Sequence, residues 1–411
     1  MRVLIVAQVF WPENFRINDL CVELRRRGHD VTVLTGWPNY PEGRVFPEFK
    51  RDPAAFAQLG GAPIVRVPIV PRGTGHLRLV LNYLSFVVSA AVLGSWKLRG
   101  RRFDAIFVWE SSPITVGLPA IVLRATKRAP MAFWVLDLWP ETLEAVGVVR
   151  STRMLRLVGK LVTFIYARCD VILAQSRSFV PQIARYCRRD TWIEYFPVWP
   201  ETVFEHGAGQ PAPEVPVAEG SFNVMFAGNI GEAQDFPAIL AAAELLKQQP
   251  RIRWLVVGDG SAAAWVKGEI QRRGLQDRVL MLGRHPVERM PAFYRHANAL
   301  LVSLKDEPIF AMTIPGKLQS YLAAGIPVVA MLNGEGADVV TRFGAGVTCP
   351  AGDSAALAAA VLKLSALPQQ ELQRMGANGS RAIATEFDRH MLITRLEDWL
   401  ERLVQRWRAA T

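Results

Sequence analysis

Short, unbroken apolar runs that stop at glycine or at a polar residue recur along this chain, and they constrain its fold more than any other feature. Arg2 to Val9, Val31 to Thr35, Ala105 to Trp109, Met131 to Leu136 and Val171 to Ala174 are such runs in the first half. Phe222–Ala227, Trp254–Val257, Val279–Leu282, Leu300–Val302 and Pro327–Ala330 are their counterparts in the second. A strand buried on both faces reads as a continuous hydrophobic run, and a parallel sheet covered by helices buries its strands that way. The segments between the runs are helical in character. Ile17 to Arg27 carries Leu20 and Leu24 on one face and closes at Gly28. The pattern predicts an α/β chain with two doubly wound domains, 1–200 and 201–385. Pro197 to Ser221, rich in Pro, Gly and Glu, separates them. The tail, 386–411, repeats Leu392, Leu396, Trp399, Leu400, Leu403 and Trp407 on one face of an amphipathic helix. Such a face packs back on the first domain or lies on a membrane.

In open parallel sheets, ligands sit at the carboxyl ends of the strands. Here those ends read Val9-Phe10-Trp11-Pro12-Glu13-Asn14, Glu110-Ser111-Ser112-Pro113 and Asp137-Leu138-Trp139-Pro140-Glu141 in the first half. In the second they read Gly228-Asn229-Ile230-Gly231, Gly258-Asp259-Gly260-Ser261 and Gly283-Arg284-His285-Pro286. Asp137 and Glu141, with two tryptophans nearby, are candidates for chemistry; the alternative is that Asp137 caps the next helix. Thr313 to Gly336, TIPGKLQSYLAAGIPVVAMLNGEG, is the most informative stretch. Pro315 suits a first helical turn, Lys317 follows it, and Gly325 ends the helix. A helix N-terminus with a lysine, beside the glycine-rich end of the next strand around Glu335, Gly336 and Ala337, makes an anion site. The alternative for Lys317 is a solvated first-turn lysine. For Arg284 it is a plain surface role.

The remaining features mostly exclude. The first turn lacks GxGxxG, which counts against a dinucleotide cofactor. Cys21, Cys169, Cys187 and Cys349 have no CxxC spacing and no accompanying His cluster, so reduced thiols in a cytoplasmic protein are expected, not disulfides or zinc. Net charge of +11 suits an acidic partner. No aromatic-basic RNA motif or finger is present, so nucleic acid is not expected. Gly36 to Gly75 reads as a binding loop with short strands in its second half, or as a solvated insertion. Leu77 to Leu98 is the most hydrophobic stretch. It reads as a helix buried against the sheet, a helix dipping into a membrane surface, or a membrane span, in that order of preference.

Taken together, RVLIVAQVFWPE, RRRGHDVTVLTG, VLDLWPE, FAGNIGEAQ, VVGDGS, LGRHPVERMPAFYRHANALLVSL and IPGKLQSYLAAGIPVVA resemble the family 4 retaining glycosyltransferases. Their order is that of the GT-B architecture, two Rossmann-like domains facing a cleft. GNIGEAQ and DLWPE look like the branch that adds deoxy or amino sugars such as fucose or N-acetyl-L-fucosamine to O-antigen, capsule or colanic acid. The resemblance implies transfer with retention, without metal, from a UDP- or GDP-sugar to a lipid-linked saccharide at the inner face of the membrane. It implies donor contacts at Gly228, Asn229, Gly258, Gly260, Arg284, Lys317, Glu335, Gly336 and Ala337. Acceptor contacts are expected at Glu13, Asn14, Trp139 and Glu141, with Asp137 and Lys317 catalytic. Four positions depart from the family pattern. Met312 and Ser320 stand where two glutamates are usual, and Asn229 and Gln234 stand where an Arg and a Lys are usual. A nucleotide-sugar epimerase of the same architecture, or a non-catalytic nucleotide-sugar-binding protein, are the alternatives.

Overall fold

The computed structural model describes residues 1–73, 75–145, 147, 149, 151–206 and 209–410. Thr74, in the predicted binding loop, and Gly207 and Ala208, in the predicted connector, lie outside them. The chain divides into two compact units: Met1–Pro197 with His390–Thr411, and Val198–Arg389.

The first unit is built on eight strands: β1 (Arg2–Val6), β2 (Asp30–Gly36), β3 (Gln58–Leu59), β4 (Ala62–Val67), β5 (Ala105–Glu110), β6 (Met131–Val135), β7 (Val171–Ala174) and β8 (Ile193–Tyr195). They lie in the order β3-β4-β2-β1-β5-β6-β7-β8. Every pairing is parallel except the short β3–β4 hairpin. β1 is central: Val3 pairs with Val31 on one side and with Ala105 on the other. Val3, Leu4, Ile5 and Val6 are fully buried, as an apolar run covered on both faces must be. The segment after β2 holds a short helix, Pro47–Arg51, and then the hairpin.

The second unit has six strands, β9 (Phe222–Ala227), β10 (Ile252–Val257), β11 (Val279–Gly283), β12 (Ala299–Ser303), β13 (Val328–Met331) and β14 (Gly346–Cys349). Their order is β11-β10-β9-β12-β13-β14, all parallel. The order reverses direction at β9, so the ends of β9, β10 and β12 flank the point where ligands enter such sheets.

The Leu77–Lys97 helix corrects an expectation. It does not bury most of its surface against the sheet. Its one buried side carries Asn82, Phe86, Ala90 and Gly94, while Val80, Leu84, Val88 and Trp96 are exposed. Gly94 is required because a Cβ there would come within 2.9 Å of the Leu34 side chain.

The tail helix, Arg389–Ala410, buries Leu392, Ile393, Leu396, Leu400 and Leu403 within the first unit. Trp399 meets Phe196 edge-on at 5.8 Å. Arg27 and His29 both hold Glu397, and Trp407 Nε1 donates to the Arg128 carbonyl at 3.2 Å. Leu400→Ala is expected to lower the stability of this unit by about 2–5 kcal/mol. Arg402→Ala, on the exposed side of the same helix, should change it by less than about 0.5 kcal/mol. Urea unfolding followed by tryptophan fluorescence measures both.

Candidate functional site

In the second unit, the loops that follow β9 and β10 lock together through their backbones. Gly228 N–H donates to the Val257 carbonyl at 2.9 Å, and Ile230 N–H to the Asp259 carbonyl at 2.9 Å. Gly258 has φ of 145°, and a Cβ on it would stand 1.9 Å from the Gly228 carbonyl oxygen. A Cβ on Gly260 would come within 2.4 Å of the Ile230 carbonyl oxygen. These glycines are therefore demanded by loop-on-loop packing. That packing accounts for both glycines whether or not a nucleotide approaches the backbone there. Gly228, Asn229 and Asp259 are exposed on this pair of loops.

Lys317 stands beside them. It lies in the first turn of the Gly316–Ala323 helix, which begins after Pro315. Its Nζ sits 3.9 Å above the centre of the Phe226 ring, the side chain one residue before the end of β9. The same atom would be 3.3 Å from a Cβ on Gly228. It is fully shielded from solvent and has no hydrogen-bond partner. Burial pushes its pKa down to about 7. Tyr321, one turn on, fixes this placement: its hydroxyl accepts from Ala227 N–H at 2.9 Å and lies 3.0 Å from the Ala227 carbonyl.

The Glu335–Phe343 helix starts next to this one. Gly334 has φ of 67°, and a Cβ there would strike the Ala311 carbonyl at 2.1 Å. Gly336 lies against Pro315 and Leu332. The first-turn amides of Glu335, Gly336 and Ala337 have no partner within their own helix. The structure thus gathers Gly228, Asn229, Lys317 and the Gly334–Ala337 turn around the ends of β9 and β13. Arg284, after β11, is exposed. Gln234 is used internally, its Oε1 accepting Gly231 N–H at 3.0 Å. Ser320 donates to the carboxylate of Glu201. Sequence reading missed Glu201 because 119 residues separate the two.

In the first unit, Asp137 follows β6 and accepts from Thr142 Oγ1 and from Trp139 Nε1 at 3.2 Å. Burial raises its pKa, and those hydrogen bonds hold the rise back. Both bonds come from side chains of the turn that follows Asp137, not from backbone N–H groups of a helix start. Behind it lies Glu110, fully buried. Glu110 accepts from Ser112 N–H at 3.0 Å and more distantly from Asp137 N–H at 3.4 Å. Burial first, and then the Asp137 charge, push its pKa well above the ordinary carboxylate value. Tyr83 packs edge-on against Trp139 at 6.5 Å. Glu141 accepts from the Tyr186 hydroxyl at 3.0 Å, and its other oxygen is buried without a partner. Asn14 is exposed.

Glu13 is placed differently from the expectation. It is 3% exposed, and its two oxygens accept from the backbone N–H groups of Phe10, Asn39 and Tyr40 at 2.7–3.0 Å. Its carboxylate ties two loops together and is occupied by them, so it is not presented to an acceptor. Among the described residues, no three His, Cys, Asp or Glu side chains cluster as a metal site.

Residues 212–382 match the family profile "Glycosyl transferases group 1", and residues 14–199 match "Glycosyl transferase 4-like domain". WbjE of Pseudomonas aeruginosa, described as a probable glycosyltransferase, is 27% identical over 65% of this chain and 68% of its own length. WcaI of Escherichia coli K12, a candidate colanic acid biosynthesis glycosyl transferase, is 24% identical over 79% of this chain and 82% of its own. Among solved structures, sucrose-phosphate synthase from Thermosynechococcus elongatus superposes with a TM-score of 0.76 at 17% identity, covering all of both chains. Anabaena HepE in complex with UDP superposes with a TM-score of 0.70 at 15% identity, covering 98% of this chain and 100% of its own.

Glu110 holds its proton more tightly folded than unfolded, so its contribution to stability is complete below its unfolded pKa and is lost as pH rises toward the folded value. Glu110→Gln should fold normally and flatten that slope. Glu110→Leu should cost roughly 1–3 kcal/mol for the N–H groups it leaves unmet. Urea unfolding across a pH series checks both.

Proposed function

We propose that the chain, whose two halves match glycosyl transferase profiles and which has the two Rossmann-like parallel sheets of the GT-B fold, moves a deoxy or amino sugar from a UDP- or GDP-sugar to a lipid-linked saccharide. The product is a surface polysaccharide, and the reaction retains the anomeric configuration. The kinship with WcaI and with the amylovoran biosynthesis glycosyltransferase AmsK of Erwinia amylovora supports the polysaccharide part. HepE, with its bound UDP, supports a nucleoside diphosphate leaving group. The enzyme works from the cytoplasmic side, peripheral on the membrane.

One observation carries the reading: the shielded, unpartnered Nζ of Lys317 at a helix start beside Gly228. A cation at a helix N-terminus is unfavourable unless an anion joins it. In glycosyl transfer the bond from sugar C1 to a diphosphate oxygen breaks, and negative charge grows on that oxygen. Lys317 and the amides of Gly334–Ala337 meet the growing charge more strongly in the transition state than before it, without requiring a metal. The acceptor hydroxyl forms the new bond to C1, and its proton passes to the leaving phosphate. Asp137, held by Thr142 and Trp139, orients that hydroxyl, with Trp139 and Glu141 as the acceptor's further contacts.

Incubation with a panel of UDP- and GDP-sugars tests this. Nucleotide release that requires a lipid-linked acceptor is expected; an isomerised sugar without acceptor would overturn it. Lys317→Met should weaken nucleotide binding about ten- to a hundred-fold, the loss of one charged hydrogen bond. The same variant should equal or exceed the parent in ligand-free melting temperature, since it removes a buried polar group with no partner. Asp137→Asn should lose transfer and keep donor affinity.

The pKa of about 7 sets the pH dependence of binding. A bound diphosphate raises the lysine pKa, so affinity is flat below pH 7. Above it, affinity falls by up to about tenfold per pH unit until the bound-state pKa is reached. Calorimetric titration with UDP and GDP from pH 6 to about 9 reads the curve, and a flat profile would remove Lys317 from the phosphate site.

A further inference from the structure

We propose that one helical layer of the first unit is a docking face for an anionic phospholipid surface. The layer consists of the Leu77–Lys97, Gly117–Lys127 and Thr152–Tyr166 helices, of which the middle one packs against both others. The proposal rests on the preceding reading only in that a lipid-linked acceptor gives a transferase reason to stay at a membrane.

Three observations point the same way. The first is exposed apolar surface. Leu84 is 51% exposed, Val88 and Val92 are each 62% exposed and Trp96 is 59% exposed, all on the outer side of Leu77–Lys97. Leu157, 60% exposed, and Phe164, 43% exposed, continue it on Thr152–Tyr166. An apolar patch of this extent on a soluble monomer marks an interaction surface.

The second is charge. None of the three helices contains a single Asp or Glu. They and their flanks carry Arg78, Arg99, Arg102, Arg153, Arg156 and Lys160, all exposed. The chain has 37 acidic residues, so their absence from this layer is a property of the surface and not of the composition. Apolar side chains edged by cations, with no anions among them, match a bilayer with acidic headgroups.

The third is the pairing of aromatic and basic groups. The Arg99 guanidinium stacks 4.2 Å from the centre of the Trp96 ring, and that of Arg168 stacks 3.6 Å from the Phe164 ring. Each pair places an apolar body and a charged head together, which suits the headgroup boundary.

The same helix is long and apolar enough to cross a membrane, at about 30 Å by its rise per residue. Its inner side rules that geometry out for the folded unit. Asn82 accepts from Gln8 Nε2 at 2.7 Å and donates to the Val70 carbonyl at 2.6 Å, while Ser85 Oγ accepts from Val70 N–H at 2.9 Å. A helix pinned along its length by these bonds and by Phe86, Ala90 and Gly94 can only lie flat on the lipid, entering it by its outer side chains.

Flotation of the purified full chain with phosphatidylglycerol-rich vesicles tests the assignment, against vesicles of phosphatidylcholine alone. The chain is expected to float with the anionic vesicles and to lose most of that binding in high salt. Leu84→Asp with Val88→Asp, and separately Arg153→Glu with Arg156→Glu and Lys160→Glu, should each weaken vesicle binding by about tenfold or more. Circular dichroism should be unchanged, because all five side chains are exposed. UDP or GDP affinity should also be unchanged, which separates this proposal from the donor reading: lost nucleotide binding with flotation intact would sink only the latter. No flotation of the parent chain, or flotation untouched by both sets of substitutions, overturns the proposal. So does a dimer in solution that the aspartates dissociate without any vesicle present, since the face would then belong to a second copy of the chain.

Discussion

A cation held out of water with nothing to pair with is the interaction around which the second unit is arranged. Left alone, the Lys317 side chain would swing into solvent, where its charge is hydrated. Several parts of the fold prevent that. Pro315 fixes the start of its helix, and Tyr321, one turn later, grips both polar groups of Ala227. The end of β9 and the helix are thereby bound together, and the Phe226 ring lies under the amine. The cation–π contact returns part of the lost hydration. The remainder appears as a pKa near 7, so the group gives up its proton easily until an anion arrives. Stability lost at a site of this kind is commonly recovered as affinity.

The first unit solves a related problem with the opposite charge. Glu110 closes β5, and its carboxyl receives N–H groups from the turn after its own strand and from the turn after β6. A neutral acid can fill that place where a carboxylate would be driven out. The result is that the Ser112 turn and the Asp137 turn are registered to each other through one buried group. Asp137 owes its position to Glu110 beneath it as much as to Thr142 and Trp139 beside it.

What could be read in the sequence was what depends on local composition. Parallel strands buried on both faces are continuous apolar runs, and both sheets followed from them. The Lys317 turn was legible for the same reason, since Pro315, Lys317 and Gly325 are near neighbours. Glu13 was not. Its partners Asn39 and Tyr40 lie 26 and 27 residues away, so nothing local shows that its oxygens are already taken. Gly258 was visible as a special position, but its cause, a carbonyl on a different loop, was not. The Leu77–Lys97 helix failed differently. Hydrophobicity says that a helix avoids water without saying which side finds protein, and here the polar Asn82 and Ser85 side faces inward because Gln8 and Val70 receive it.

Ser320 shows how a local reading can misjudge a loss. At that helix position the chain has no carboxylate of its own, and on sequence alone the acidic function looks deleted. In the folded second unit the Ser320 hydroxyl donates to Glu201, which arrives from the chain entering the unit. The serine is short enough to admit the glutamate, whereas a glutamate at 320 would repel it. The two residues are therefore a matched pair: the small side chain makes room for the carboxylate and supplies the hydrogen bond that steadies it. The carboxylate that meets this point on the helix comes from 119 residues earlier in the chain.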